Sequence, residues 1–531
     1  MRRLLALVVG LVALQACSGD GSQNSGNSGG AANTSGGSSG APHGGAAGSN
    51  PGAGAPSQGG ALGNSSGGAI ASGGSSAGGV SSGGALGGAA SAGAASGGTG
   101  GSGAGAGGNS PTAGSGSGGV STAQGGSAGN GSAGHANAGA NAGSANGGAS
   151  GSAGSGNESW VGTWVTAQQL VEEANKPPSP GLTNNTLRQI VHVSIGGTRL
   201  RLRFSNEYGS SPVTLKAVHI AASAGTSAIN ASTDKALSFS GSASVTIAAK
   251  QAVFSDAFDF QLMPLSNIAV SIAFGTTSND VSGHPGSRTT SYIATGDAAS
   301  SATLSSPVTT DHWYILSGID VAADSSTRAL VALGDSITDG RGSTTNGNDR
   351  WPDFLAKRMQ MNSTTTKIGM LNQGIGGNTV LSGGLGPTAT ARFDGDVIKQ
   401  AGVRWLIVFE GVNDIGNTSN GASTASSLIN AYKSFVSKAH AASIKAFGAT
   451  ITPFNGNGYY SGDHESARKT VNEWIRAAGN FDEVIDFDAA VRDPNKEDTL
   501  LKTYDSGDGL HLNPTGYQKL ADTVDLALLS Q

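Results

Sequence analysis

A chain of 531 residues would hold about three domains at the usual size of roughly 150 residues each, but 88 glycines leave a large part of it without side chains to build a core. The formal net charge is -5, only 12% of residues are charged, and no Lys- or Arg-rich run follows the extreme N-terminus. That balance lacks the basic footprint of a nucleic-acid binder and excludes nucleic acid as a partner.

The N-terminus reads as an export signal. Arg2 and Arg3 precede an apolar run from Leu4 to Leu14 that is too short to span a bilayer. The run ends in Leu14-Gln15-Ala16-Cys17, which resembles a bacterial lipobox. That resemblance implies removal of residues 1–16, a diacylglycerol on the Cys17 sulfur, and a location in the bacterial cell envelope, at the outer membrane or cell surface. Membrane attachment would then be through the lipid anchor alone. Cys17 is the only cysteine, so no internal disulfide forms. An ordinary secretory signal is the alternative, and it too exports the protein.

Residues 17–157 consist mainly of Gly, Ser, Ala and Asn, with no Phe, Trp or Tyr, no Lys or Arg, and Asp20 as the only acid. Such a segment cannot offset its ordering entropy, so a disordered low-complexity tether is expected. Its r.m.s. span as a Gly-rich coil is roughly 60–70 Å. An insertion without a spacer role is the alternative reading.

Near Glu158 the composition changes, and residues 158–325 carry period-two patterns. Leu200, Leu202 and Phe204 alternate with Arg199, Arg201 and Arg203, while Ile268, Val270, Ile272 and Phe274 alternate with small residues. Further strands are expected at 215–221, 245–249 and 291–294. An antiparallel β-sandwich accessory domain accounts for this pattern. Trp160, Trp164, Tyr208 and Trp313 offer sugar-stacking faces, although burial in a core is the commoner fate of such residues.

From 326 to 531 strands alternate with helices. Strands are expected at 330–333, 368–371, 405–409, 446–451 and 484–487. A helix starts at Trp351 with Pro352 in its first turn, others cover 426–442 and 466–478, and a last one begins near Pro514. This order predicts a parallel sheet with helices on both faces, a flavodoxin-like three-layer α/β/α domain whose site lies past the carboxyl ends of its strands.

Four blocks fall there: GDSITDG from Gly334, NQGIGGN from Asn372, GVND from Gly411 and DGLHLN from Asp508. A serine hydroxyl needs a base within hydrogen-bond reach and a third group to orient that base. Ser336 supplies the hydroxyl, His511 the base and Asp508 the orienting carboxylate. The backbone at Gly377 and the amide of Asn413 are candidate donors to a developing oxyanion. Asp335 and Asp414 read as loop-ordering acceptors. Asp463, His464 and Glu465 read as a solvated loop with no metal, and GIGGN lacks the glycine spacing of a dinucleotide site, so no cofactor is expected.

In these blocks the C-terminal domain resembles the SGNH, or GDSL-type, hydrolases. The resemblance gives Ser336 the nucleophile's position, Gly377 and Asn413 the oxyanion donors' positions, and Asp508 with His511 the DxxH element. It implies an esterase or acylhydrolase without a cofactor. The GxSxG elbow of α/β-hydrolases is absent. The WVGTW, RQIVHVSIGG and HPGSRTTSY segments are similar to the N-terminal region of secreted two-domain members grouped with arylesterases and xylan-associated acylhydrolases. His284 and Arg288, in the last of these, are candidates to reach the catalytic cleft.

The leading expectation is an exported esterase acting on small-molecule or polysaccharide esters, with short acyl chains and acetyl foremost. A lipase or arylesterase, an acyltransferase, and a glycan-binding surface protein with a relic hydrolase domain are the alternatives.

Overall fold

The computed structural model describes residues 158–530. The expected signal peptide, Cys17 and the Gly/Ser/Ala-rich segment lie outside the described residues.

The upstream part is β-rich and antiparallel. One sheet joins Ser159–Val165, Leu316–Ala323, Gly197–Ser205 and Ala252–Phe254 in that order, with Phe258–Leu262 also paired to Gly197–Ser205. A second sheet centres on Asn267–Phe274, which pairs with Asn185–His192 on one side and Val213–Ala222 on the other. The period-two reading of Gly197–Ser205 holds in detail: Leu200, Leu202 and Phe204 are fully buried, while Arg199, Arg201 and Arg203 keep partial exposure. Leu200 and Leu202 of the first sheet and Leu187, Ile220 and Ile272 of the second belong to one connected apolar core.

Strand Ser159–Val165 also ties this part to the downstream one, because the Gly162 N–H donates to the Ala401 carbonyl at 3.0 Å. Trp164 and Trp313 are buried and pack edge to face at 5.0 Å, and the Arg201 guanidinium covers Trp160 at 4.6 Å. These rings are committed to packing.

The downstream part is α/β. Its parallel sheet runs Ile368–Gly374, Arg328–Gly334, Val403–Phe409, Lys445–Ala449 and Glu483–Ile485 in spatial order, which is 2-1-3-4-5 in chain order and flavodoxin-like. These strands are near-continuous apolar runs because both faces are covered: Ala329, Leu330, Val331, Ala332 and Leu333 are all buried.

Helix Gly421–Ala441 begins earlier than its apolar period suggests. The Asn420 side chain caps it by accepting from the Ser423 N–H, and the helix buries Ala425, Leu428, Tyr432, Phe435 and Ala439 at spacings of three and four. Helix Gly462–Arg476 starts at 462 for the same reason, capped by Ser461. The expected solvated loop at Asp463, His464 and Glu465 is therefore its first turn. Glu465 there is buried against Arg468, and His464 bonds the Tyr459 and Thr418 carbonyls.

The expected strand end at Phe487 is also revised. The strand stops at Ile485, and Asp486 caps a short helix, Phe487–Val491.

Candidate active site

Ser336 lies immediately past the first parallel strand, at the start of the single-turn helix Ser336–Asp339. The Asp335 carboxylate caps that turn by accepting from the Ile337 N–H at 2.9 Å. Ser336 is the first residue of the turn, where backbone N–H groups have no intrahelical acceptor.

Asp508 and His511 arrive together on the segment preceding helix Pro514–Thr523. One Asp508 oxygen accepts from the N–H groups of His511 at 2.8 Å and Leu510 at 3.0 Å. The other meets His511 Nδ1 at 2.6 Å, and His511 Nε2 meets Ser336 Oγ at 2.8 Å. Since a carboxylate only accepts, Nδ1 carries the proton and Nε2 is left to accept the Ser336 hydroxyl. Burial pushes the Asp508 carboxyl up, but the His511 ring and the two N–H groups outweigh it and hold the group well below the usual carboxylate range.

Gly377 sits past the second strand with φ +69°, in the left-handed region, and a Cβ there would come within 3.2 Å of the Leu385 side chain. Its N–H has no hydrogen-bond partner among the described residues. Asn413 follows the third strand. Its Nδ2 donates to the Asn378 carbonyl at 2.8 Å and its Oδ1 accepts from the Tyr459 hydroxyl at 3.1 Å. The Asn378 bond brings the Asn413 and Gly377 loops together, and the amide keeps a second N–H free to donate. Asp414 accepts from the N–H groups of Val380 and Leu381, both at 2.9 Å, so it orders the loop after Gly377.

The β-rich part closes over one side of this arrangement. His284 Nε2 meets Asp339 Oδ1 at 2.8 Å, three residues beyond the serine, while His284 Nδ1 donates to the Ala167 carbonyl at 2.9 Å. Gly286 packs so closely on Asp339 that a Cβ would collide with its carboxylate, and Arg350 donates to the Ser287 carbonyl. The resulting cleft holds about 2150 Å³ of open space and is lined by Ser336, Gly376 and Asp508 from the α/β part and by Glu172, Arg288 and His312 from the β-rich part. His312 donates through Nδ1 to the Pro285 carbonyl at 2.6 Å, and its burial disfavours the charged ring.

Sequence reasoning missed the His284–Asp339 pair and Tyr459, since neither contact leaves a local period. It also missed Arg392, a buried arginine that bonds Gly334, Gln373, Asn378, Asp396 and Glu410.

Among the described residues, no group of three or more His, Cys, Asp or Glu side chains is arranged to hold a metal ion. A Ser–His–Asp chain at the carboxyl end of a flavodoxin-like sheet is the arrangement of a hydrolase. Residues 332–519 match the model of the GDSL-like lipase/acylhydrolase family, and this part of the chain is a carboxylic ester hydrolase domain of that family.

Similar solved structures include a GDSL-like lipase from Bacteroides thetaiotaomicron VPI-5482, 21% identical over 38% of this chain and 88% of that one, TM-score 0.28. An acetylxylan esterase from Geobacillus stearothermophilus is 22% identical over 37% of this chain and 91% of its own, TM-score 0.28. No match was found among curated proteins.

The buried acids give the fold a pH dependence of definite sign. Burial raises the Asp414 carboxyl to about 6 against the pull of the two N–H groups, and it raises Asp335 and Glu410 as well. Between roughly pH 4 and pH 6 the folded chain keeps a proton on Asp414 that the unfolded chain has released. The stability from this group is therefore full below roughly pH 4 and is lost as pH rises through about 6. His312, whose ring is held neutral by burial, acts in the opposite direction below roughly pH 6.5. Urea unfolding at pH 4.5 and 7.5 checks the balance: Asp414→Asn should lose part of the fall in stability that the parent shows between those two values. An identical fall in both proteins would contradict the assignment.

Proposed function

We propose that the protein is an exported esterase that removes short acyl groups, acetyl foremost, from hydroxyls of a polar alcohol such as a polysaccharide, through an acyl-enzyme on Ser336. The observation that carries this reading is the unbroken hydrogen-bond chain from Ser336 Oγ through the His511 ring to Asp508.

His511 Nε2 takes the hydroxyl proton as Oγ attacks the ester carbonyl, and Asp508 stabilises the imidazolium that forms. The N–H groups of Ser336 and Gly377 and the Asn413 amide receive the negative oxygen of the tetrahedral intermediate. Collapse breaks the bond to the alcohol, which leaves with the proton from His511. Water, deprotonated by the same nitrogen, then attacks the acyl-enzyme. The carboxylic acid departs and Ser336 recovers its proton.

The polar lining of the cleft supports a polar alcohol and a short acyl group, because Leu385 is the one large aliphatic side chain among its lining residues. Without an apolar wall, added methylenes gain no burial energy. A panel of 4-nitrophenyl esters tests this: kcat/KM for acetate should exceed that for octanoate by at least roughly tenfold. A value that climbs with chain length would make the protein a lipase instead. Export and anchoring rest on the segment from Arg2 to Cys17 and its likeness to a lipobox, with residues 17–157 as the tether.

A further inference from the structure

Two guanidinium groups face the same cleft as Ser336 and Asp508, and neither has an ion pair or a side-chain hydrogen bond among the described residues: Arg288 and Arg341. The carboxylates of the cleft are in a different state. Asp508 is bonded to His511, Asp339 to His284, Glu172 to Gln169 and Asn175, and Asp311 to the Thr290 hydroxyl. Arg288 Nε is buried with no partner, and its backbone is held at φ +49°, in the left-handed region that a residue with a side chain rarely adopts. An arginine strained and unpaired beside a nucleophile is poised for a planar anion, because its fork matches a carboxylate with two parallel hydrogen bonds.

Both arginines are tied to the loop of residues 341–346, which packs against the segment that carries His511. Gly342, next to Arg341, packs against the Leu512 carbonyl and Ser506, on the segment that carries His511, and the Tyr517 hydroxyl donates to the Arg341 carbonyl. Arg288 is stapled to the same region, since its carbonyl accepts from the Asn346 N–H at 2.9 Å. The group leaving past His511 is the alcohol, so an anion held here belongs to the alcohol moiety. Glu172 and Asp311, which also line the cleft, are acceptors for substrate hydroxyls.

We propose that Arg288 and Arg341 form a carboxylate-binding subsite on the leaving-group side, and that the preferred substrate is an O-acylated uronic acid unit. This rests on the esterase reading above. The test compares the full chain on O-acetylated methyl galacturonoside, on the matching neutral galactoside, and on 4-nitrophenyl acetate. The galacturonoside should exceed the galactoside in kcat/KM by roughly tenfold to a hundredfold, as expected for charge-assisted hydrogen bonds. Most of the gain should lie in KM and shrink with added salt. Arg288→Gln and Arg341→Gln should each lower that ratio, whereas damage to the fold would lower both rates together and leave the ratio intact.

Equal rates on the two glycosides, with 4-nitrophenyl acetate still cleaved, would overturn the subsite and leave the esterase standing. A ratio that survives both substitutions would overturn the assignment to these arginines. An Arg288-dependent preference for 4-nitrophenyl hemisuccinate over acetate would move the anion to the acyl side and also overturn the proposal. Failure to cleave any of the esters would overturn both readings.

Discussion

The Ser336→Ala variant is expected to fold like the parent and to lose roughly 10⁴- to 10⁶-fold in kcat on 4-nitrophenyl acetate. Folding should survive because the Ser336 hydroxyl makes a single hydrogen bond, to His511, whereas the turn that carries it is capped by the Asp335 side chain. The loss is large because no other hydroxyl stands within hydrogen-bond reach of His511 Nε2 among the described residues, and without the nucleophile there is no acyl-enzyme. A residual rate above that in water is also expected, since the oxyanion donors remain. Steady-state turnover and circular dichroism on the same preparation check both halves. Turnover within a few-fold of the parent would remove Ser336 from the mechanism.

Replacing Arg392 by Met should destabilise the fold by about 3–5 kcal/mol, the usual consequence of stripping one partner from a buried ion pair. Its guanidinium donates to the Gly334 carbonyl at 2.9 Å and the Gln373 carbonyl at 2.7 Å, near the ends of the first two strands, and to Glu410 at 3.0 Å, just past the third. Nε donates to Asn378 Oδ1 at 3.0 Å, and the Asn378 carbonyl in turn holds Asn413. One side chain thus ties together the strand ends from which the nucleophile and both oxyanion residues emerge.

Without it Glu410 is left buried and uncompensated. Burial already pushes that carboxyl well above its usual value, with Asp335 adding to the rise and Arg392 opposing it. The damage should therefore shrink as pH falls, since a proton on Glu410 removes the uncompensated charge. A second change, Glu410→Gln, should recover part of the loss in a double-mutant cycle. Thermal and urea unfolding of the two single variants and the double variant measure this. An Arg392→Met protein as stable as the parent would show that the strand ends hold without the guanidinium.

Several elements were legible because their signal is local. Leu200, Leu202 and Phe204 declare a half-buried strand by alternation, and Leu428, Tyr432, Phe435 and Ala439 declare a helix by spacing, so both appear where their periods place them. Boundaries slipped where a cap rather than a period decides them, as at Asn420 and Ser461. The Asp508–His511 pair was legible for the same local reason, since three residues of spacing let one turn of chain deliver both side chains. Gly377, read from the sequence as a candidate backbone donor, sits at a positive φ, which no composition signals.

By itself the sequence determined the alternation of strand and helix, the chemical identity of the blocks carrying Ser336, Gly377, Asn413, Asp508 and His511, and the compositional break near Glu158. The tertiary structure alone decided that His284 closes on Asp339 from 55 residues away, that Arg392 gathers three strand ends, and that Arg288 and Arg341 share the cleft of the nucleophile without partners. The physical reason is range. Periods and caps are set by neighbours a few residues apart, whereas a buried ion pair or an unpaired guanidinium is defined by groups that meet only when distant segments pack, and such meetings leave no imprint on local spacing.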